Sequence, residues 1–177
     1  NKLILIGSSQ MFNQKRKVIN VKTNFNPINS YAKFRTKSFN YMIKYKKKYK
    51  SNVVMAILFN HDSKYRKKKF LIPRLIKMIK NKQFKKLNEI YQENIAGDFS
   101  HAEDICGGLF KLIFLKKNIN KVILSSNNQF YINDIINFLL KRNNIKKKFI
   151  LKNQLPLSTP VGDNTISKKL LSWKIKK

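Results

Sequence analysis

An α/β fold with a mostly parallel sheet follows from three observations on the 177-residue sequence. Short, wholly apolar runs recur at residues 3–6, 53–59 and 122–124. Runs of that length without polar alternation mark strands buried on both faces. Between them lie longer stretches with apolar residues at three- and four-residue spacings, as in helices packed on such a sheet. Strands that alternate with helices need crossover connections, which favours parallel pairing.

The elements can be justified in order. Leu3-Ile4-Leu5-Ile6 is a buried strand, and Gly7-Ser8-Ser9 carries it into a loop. Residues 13–30 are polar and irregular, with Pro27. A helix is predicted over about 31–50, on Tyr31, Phe34, Tyr41, Met42, Tyr45 and Tyr49. Lysines crowd its C-terminal end, where cations suit the helix dipole. Val53–Phe59 (VVMAILF) is the clearest buried strand. A basic loop at 64–69 precedes a short helix over about 72–80, and a second basic stretch surrounds Lys85 and Lys86. Asp98-Phe99-Ser100 leads into an amphipathic helix over about 102–115, and another helix covers 132–142. Residues 149–151 read as a further strand. Asp163-Asn164-Thr165 caps a last helix that ends near Trp173, which anchors it to the core. There is no internal repeat, and a chain of this length fits a single domain over 1–177.

Charge is the unusual quantity. Lys and Arg total 39 against 8 Asp and Glu, a net charge of +31. Self-repulsion at that charge destabilises a compact state unless a polyanion neutralises it. An AT-rich genome explains lysine in place of arginine, but not the scarcity of acids. Residues 1–61 hold no acid at all, while Glu89, Glu93, Asp98, Glu103 and Asp104 crowd a central stretch. The single Cys106 excludes an intramolecular disulfide and fits a reducing compartment. No apolar run reaches the roughly 20 residues of a spanning helix, and no secretory signal is visible. His61, His101 and Cys106 lack the spacing of a closed metal site, so no metal is expected.

Five stretches in register carry a family resemblance. They are Gly7-Ser8-Ser9-Gln10-Met11-Phe12, Pro27-Ile28-Asn29-Ser30-Tyr31-Ala32, residues 56–63 (AILFNHDS), Ser100-His101-Ala102-Glu103-Asp104, and Gly162-Asp163 followed by Leu171-Ser172-Trp173-Lys174. In these the chain resembles the extended short-chain dehydrogenase/reductase family, and within it the GDP-mannose 4,6-dehydratases. The resemblance implies an incomplete Rossmann-like parallel sheet lacking its first strands, with a small C-terminal helix/strand region. The absent strands would carry the glycine-rich turn that seats a dinucleotide. The five glycines here form no such fingerprint, so no cofactor is expected on this chain.

The resemblance also implies a worn active site. Tyr31 matches the family's catalytic Tyr, but its Lys partner is Arg35, whose fork does not replace a compact ammonium. Ser8 keeps the Ser/Thr partner. The catalytic Glu has become Gln10, which cannot exchange a proton near neutral pH. A substrate-binding Arg has become Gly97. Arg66 keeps one arginine of a sugar-nucleotide segment that is otherwise lysine. Ser8, Gln10, Tyr31 and Arg35 therefore read as vestigial, with no catalytic residue retained.

Three functional readings follow. The first is a non-catalytic structural protein of an organellar ribosome, in the mitochondrial matrix, with plastid or cytoplasm as alternatives. Its partner would be ribosomal RNA. The contacts would be Lys44, Lys46, Lys47, Lys48 and Lys50, then Lys64, Arg66, Lys67, Lys68 and Lys69, then Lys146, Lys147 and Lys148, with the basic run 168–177 in support. Interleaved Tyr45, Tyr49 and Tyr65 would add stacking. Neighbouring proteins, among them a separately encoded N-terminal half, would cover the open sheet edge. The second reading is a divergent GDP-mannose 4,6-dehydratase or NAD-dependent epimerase fragment. The third is an accessory subunit of a respiratory complex.

Overall fold

The computed structural model describes residues 2–15, 17–152 and 155–176. In chain order the elements are β1 (Leu3–Ser8), a 3-10 turn (Ser9–Met11), β2 (Val18–Ile19), α1 (Ser30–Tyr49), β3 (Val53–Leu58) and β4 (Asn60–Asp62). Then come α2 (Leu71–Lys80), α3 (Phe84–Gln92), β5 (Ile95–Gly97), β6 (Phe99–His101), α4 (Ala102–Phe114) and β7 (Lys121–Leu124). The last are β8 (Phe130–Tyr131), α5 (Ile132–Arg142), β9 (Leu157–Ser158), β10 (Val161–Gly162) and α6 (Thr165–Leu171).

The three apolar runs form one parallel sheet in the order β1-β3-β7, with Gly7 opposite Ile57 and Ile57 opposite Ile123. Alternation along β3 divides its side chains between two cores. Val53, Met55 and Ile57 pack with Met42 of α1, and with Met11, Phe12 and Ile19. Val54 and Ala56 pack on the opposite face with Ile105 and Leu112 of α4, and with Leu171 and Trp173. A side chain on Gly108 would collide with Leu124, so this glycine lets α4 lie close on β7. The indole N–H of Trp173 donates to the Asp104 carbonyl at 2.8 Å.

A third core joins Leu75 and Ile79 of α2, Leu87 and Tyr91 of α3, and Ile132, Ile136 and Leu140 of α5. It stands on a small mixed sheet in the order β8-β5-β9, where β5 is antiparallel to β8 and parallel to β9. The smaller region is therefore interleaved along the chain rather than C-terminal. Residues 149–151 form no strand. Instead, the Gln92 side chain donates to the Ile150 carbonyl and accepts from the Lys152 N–H, at 2.8 and 3.0 Å. The basic stretch around Lys85 and Lys86 is the helix α3, unassigned from sequence because its apolar face is only Phe84, Leu87, Ile90 and Tyr91.

Among the described residues, no helix is long and apolar enough to cross a membrane. No group of three His, Cys, Asp or Glu could hold a metal ion among them either.

Candidate functional site

Parallel sheets gather functional loops at the carboxyl ends of their strands, and the resembling motifs meet there. β1 ends at Ser8, whose Oγ accepts from the Gln10 N–H at 3.3 Å. Gln10 Oε1 accepts from Asn29 Nδ2 at 3.1 Å, and Asn29 Oδ1 accepts the Ala32 N–H at 2.8 Å, capping α1. One chain of hydrogen bonds thus ties the turn after β1 to the first turn of α1, where Tyr31 sits. Arg35 lies one turn later, with its guanidinium 5.2 Å from the centroid of the Tyr31 ring. The Arg35 Nε is buried without a hydrogen-bond partner.

At the neighbouring strand end, β3 passes into β4, which pairs in parallel with β6, His61 opposite Ser100. His61 Nδ1 is held 2.8 Å from the Phe59 carbonyl. Asp98, fully buried, organises this corner. Its Oδ1 accepts from Ser126 N and Oγ at 2.8 and 2.7 Å, and its Oδ2 from Asn127 N and Gly162 N, both at 3.1 Å. Burial pushes the Asp98 carboxyl above its ordinary value, and the bonds from Ser126, Gly162 and Asn127 oppose that rise. Sequence reasoning passed over this role; the signal was an acid set directly between Ala96-Gly97 and Phe99 in a very basic chain.

From this corner opens a cleft of about 1270 Å³. Its cationic lining is Lys64, Arg66, Lys68, Lys77 and Lys80, with His101 and the acid Asp62 beside them. Its apolar wall includes Ile72, Ile76, Phe99, Phe130 and Phe138. The Arg66 guanidinium stacks 3.8 Å from the Phe70 ring centroid, which fixes its direction. Arg66 Nε and Ser100 Oγ are buried and without hydrogen-bond partners. Polar atoms left that way cost stability unless a ligand or water satisfies them. Lys77, Lys80, Phe130 and Phe138 were missed from sequence, because only packing of α2 beside α5 brings them together.

The other residues singled out from sequence are scattered. Lys46 is buried, and its Nζ donates to the Val53 and Ile119 carbonyls at 2.9 and 2.6 Å. Desolvation, and secondarily Lys2, lowers its pKa. Its assignment to a polyanion contact is corrected: it closes the amino-terminal end of the sheet. Lys44, Lys47, Lys48 and Lys50 are exposed at the end of α1, remote in sequence from both cationic linings. Lys67 and Lys69 are exposed in the loop that edges the cleft. Lys146, Lys147 and Lys148 line a separate groove. Lys177, at the end of the run 168–177, lies outside the described residues. At Gly97 a Cβ would collide with Thr159 Oγ1, so the threonine occupies the space a longer side chain would need.

The family model described as GDP-mannose 4,6 dehydratase matches residues 1–173. No curated protein matches. Solved structures match at low identity. UDP-glucuronic acid 4-epimerase from Bacillus cereus, in complex with NAD, is 19% identical with a TM-score of 0.82, over 100% of this chain and 57% of that one. RMD from Pseudomonas aeruginosa, complexed with NADPH, is 18% identical with a TM-score of 0.82, over 98% of this chain and 60% of that one. dTDP-glucose 4,6-dehydratase from Bacillus anthracis, in complex with NAD, is 13% identical with a TM-score of 0.82, over 99% and 57% respectively. The chain therefore spans somewhat more than half the length of these structures.

These matches overturn the expectation of a ribosomal structural protein with ribosomal RNA as its partner. The family match covers nearly the whole chain and is to an enzyme, and the matching structures are enzymes holding nicotinamide dinucleotides. Composition misled because a net positive charge does not tell one polyanion from another, a ribosomal RNA from a small nucleotide.

Proposed function

Because the chain belongs to the GDP-mannose 4,6 dehydratase family, we propose that it forms the substrate-side part of an NAD-dependent sugar-nucleotide dehydratase or epimerase. The observation that carries this reading is the cationic cleft with two buried polar atoms, Arg66 Nε and Ser100 Oγ, lacking partners. A nucleoside diphosphate supplies what they lack. Its phosphates suit Arg66, Lys64 and Lys68, and its apolar surfaces suit Phe130 and Phe138.

Toward the dinucleotide, this chain offers Tyr31 and Arg35. The orphaned Arg35 Nε–H fits an acceptor such as a ribose hydroxyl, so these two residues would hold the nicotinamide ribose. When bound, the nicotinamide accepts and returns a hydride. The chain's own part is proton handling. The Tyr31 hydroxyl, with the Arg35 charge beside its ring, would exchange a proton with a sugar hydroxyl. Ser8, at the end of β1, would donate a hydrogen bond to the same oxygen.

Elimination of water is where this chain is weak. Gln10 stands where the family has a carboxylate, and its amide oxygen is already engaged by Asn29. An amide carries no transferable proton near neutral pH, so we further propose that binding is kept while dehydration is slow. Purified protein spanning the whole family fold is expected to bind a GDP-sugar in calorimetry. Arg66→Gln should weaken that binding about tenfold, a loss of roughly 1.4 kcal/mol. The double variant Gln10→Glu, Arg35→Lys should raise 4-keto-sugar formation by about two orders of magnitude. A natural protein that turns over as fast as the double variant would refute the loss of chemistry. Affinity indifferent to Arg66 would refute the cleft.

A further inference from the structure

The helix α5 has two working faces. Ile135 and Phe138 line the substrate cleft. Asn137, Leu140 and Lys141, on the opposite side by helical spacing, line a second groove of about 730 Å³. Tyr91 and Phe149 are its aromatic residues, and Lys146, Lys147 and Lys148 join Lys141 as its charges. No acid lines it.

The groove is built rather than incidental. The Phe149 ring lies 5.3 Å from that of Tyr91, inclined at 46°. Asn137 Nδ2 donates to the Tyr91 hydroxyl at 3.3 Å. The carbonyls at the end of α5, which would repel an anion, are already engaged. Leu139 accepts from the Asn143 side chain at 2.7 Å, Leu140 from the Ile145 N–H at 3.0 Å and Lys141 from the Asn144 N–H at 3.0 Å. On the far side, Gln92 clamps the backbone at Ile150 and Lys152. Both walls are therefore fixed before any ligand arrives, which lowers the entropic cost of binding.

We propose that this groove binds a mononucleotide, with its base against Phe149 and its phosphates among Lys141 and Lys146–Lys148. The volume suits a single small ligand. Lysines act as point charges that accept phosphates in many orientations, while an aromatic side chain supplies a stacking surface for a base. The site does not depend on the substrate cleft, because the two share no lining residue.

The test is calorimetry on the full chain with a nucleoside triphosphate and with inorganic triphosphate. Lys146→Gln, Lys147→Gln and Lys148→Gln together, all exposed positions, should weaken both ligands at least tenfold. Phe149→Leu should weaken the nucleotide several-fold and leave inorganic triphosphate unchanged. Arg66→Gln, in the other cleft, should remove only the binding that belongs to that cleft and leave the dependence on Lys146–Lys148 and Phe149 in place. Should Phe149→Leu fold poorly, photo-crosslinking of the natural chain with an azido-nucleotide should label the segment 141–149. Equal affinity for nucleotide and inorganic triphosphate would overturn the proposal, as would a triple lysine variant that binds like the natural chain or the absence of label from 141–149.

Discussion

Asp98 is the acid on which the strand-end corner depends. Four donors from Ser126, Asn127 and Gly162 converge on one buried carboxylate, joining β5 to the end of β7 and to β10. Asparagine presents one acceptor where these donors use two oxygens, and each buried donor left without a partner costs about 1–3 kcal/mol. Asp98→Asn is therefore expected to lower unfolding free energy by about 3 kcal/mol in urea titrations. The pH dependence has a definite sign. The folded-state pKa lies above the ordinary 3.8 because of burial, so the folded form holds the proton more tightly than the unfolded chain. That contribution is complete below pH 3.8 and is lost as pH rises through the folded-state value. The stability gap between natural chain and variant should narrow over that interval and then level off. A gap that widens as pH rises would contradict it.

The helix α1 shows how one secondary-structure end serves a site. Its N-cap Asn29 accepts the Ala32 N–H with Oδ1 and donates to Gln10 with Nδ2, so the helix start and the turn after β1 are one hydrogen-bonded unit. Asn29→Ala removes both bonds and should cost about 1 kcal/mol of stability, as N-cap truncations do. Calorimetric and chemical denaturation would measure that loss, and an unchanged stability would show the cap to be inert. At its other end the helix buries Lys46 against the Val53 and Ile119 carbonyls. A lysine among the five at 44–50 looks from sequence like part of a solvated face, yet this one is a structural donor.

The net charge of +31 sets the electrostatic state of the whole protein. Self-repulsion among exposed lysines is screened by salt, with a Debye length of about 30 Å at 0.01 M and about 10 Å at 0.1 M. The melting temperature is thus expected to rise by several degrees between low and moderate sodium chloride, as scanning calorimetry would reveal. A midpoint indifferent to salt would mean that the charges are already neutralised within the fold.

Much of the architecture was readable from the residues. The runs 3–6, 53–59 and 122–124 became the three parallel strands, and the α1, α2, α4 and α5 helices fall within a residue or two of their periodic segments. Such patterns are local: burial on both sides of a sheet demands continuous apolar residues, and a helix face repeats every three or four positions. The family, too, was carried by short motifs in order. The cationic cleft was only half legible. Lys64, Arg66 and Lys68 declared themselves as a charge run, whereas Lys77, Lys80, Phe130, Phe138 and Ser100 acquire meaning from the packing of α2 and α5 over β6. Composition also suggested the wrong polyanion, because charge counts carry no information on shape. Amino-acid order determined where strands and helices form; the three-dimensional packing decided which lysines line a cleft and which, like Lys46, are buried, since that depends on contacts between residues far apart along the chain.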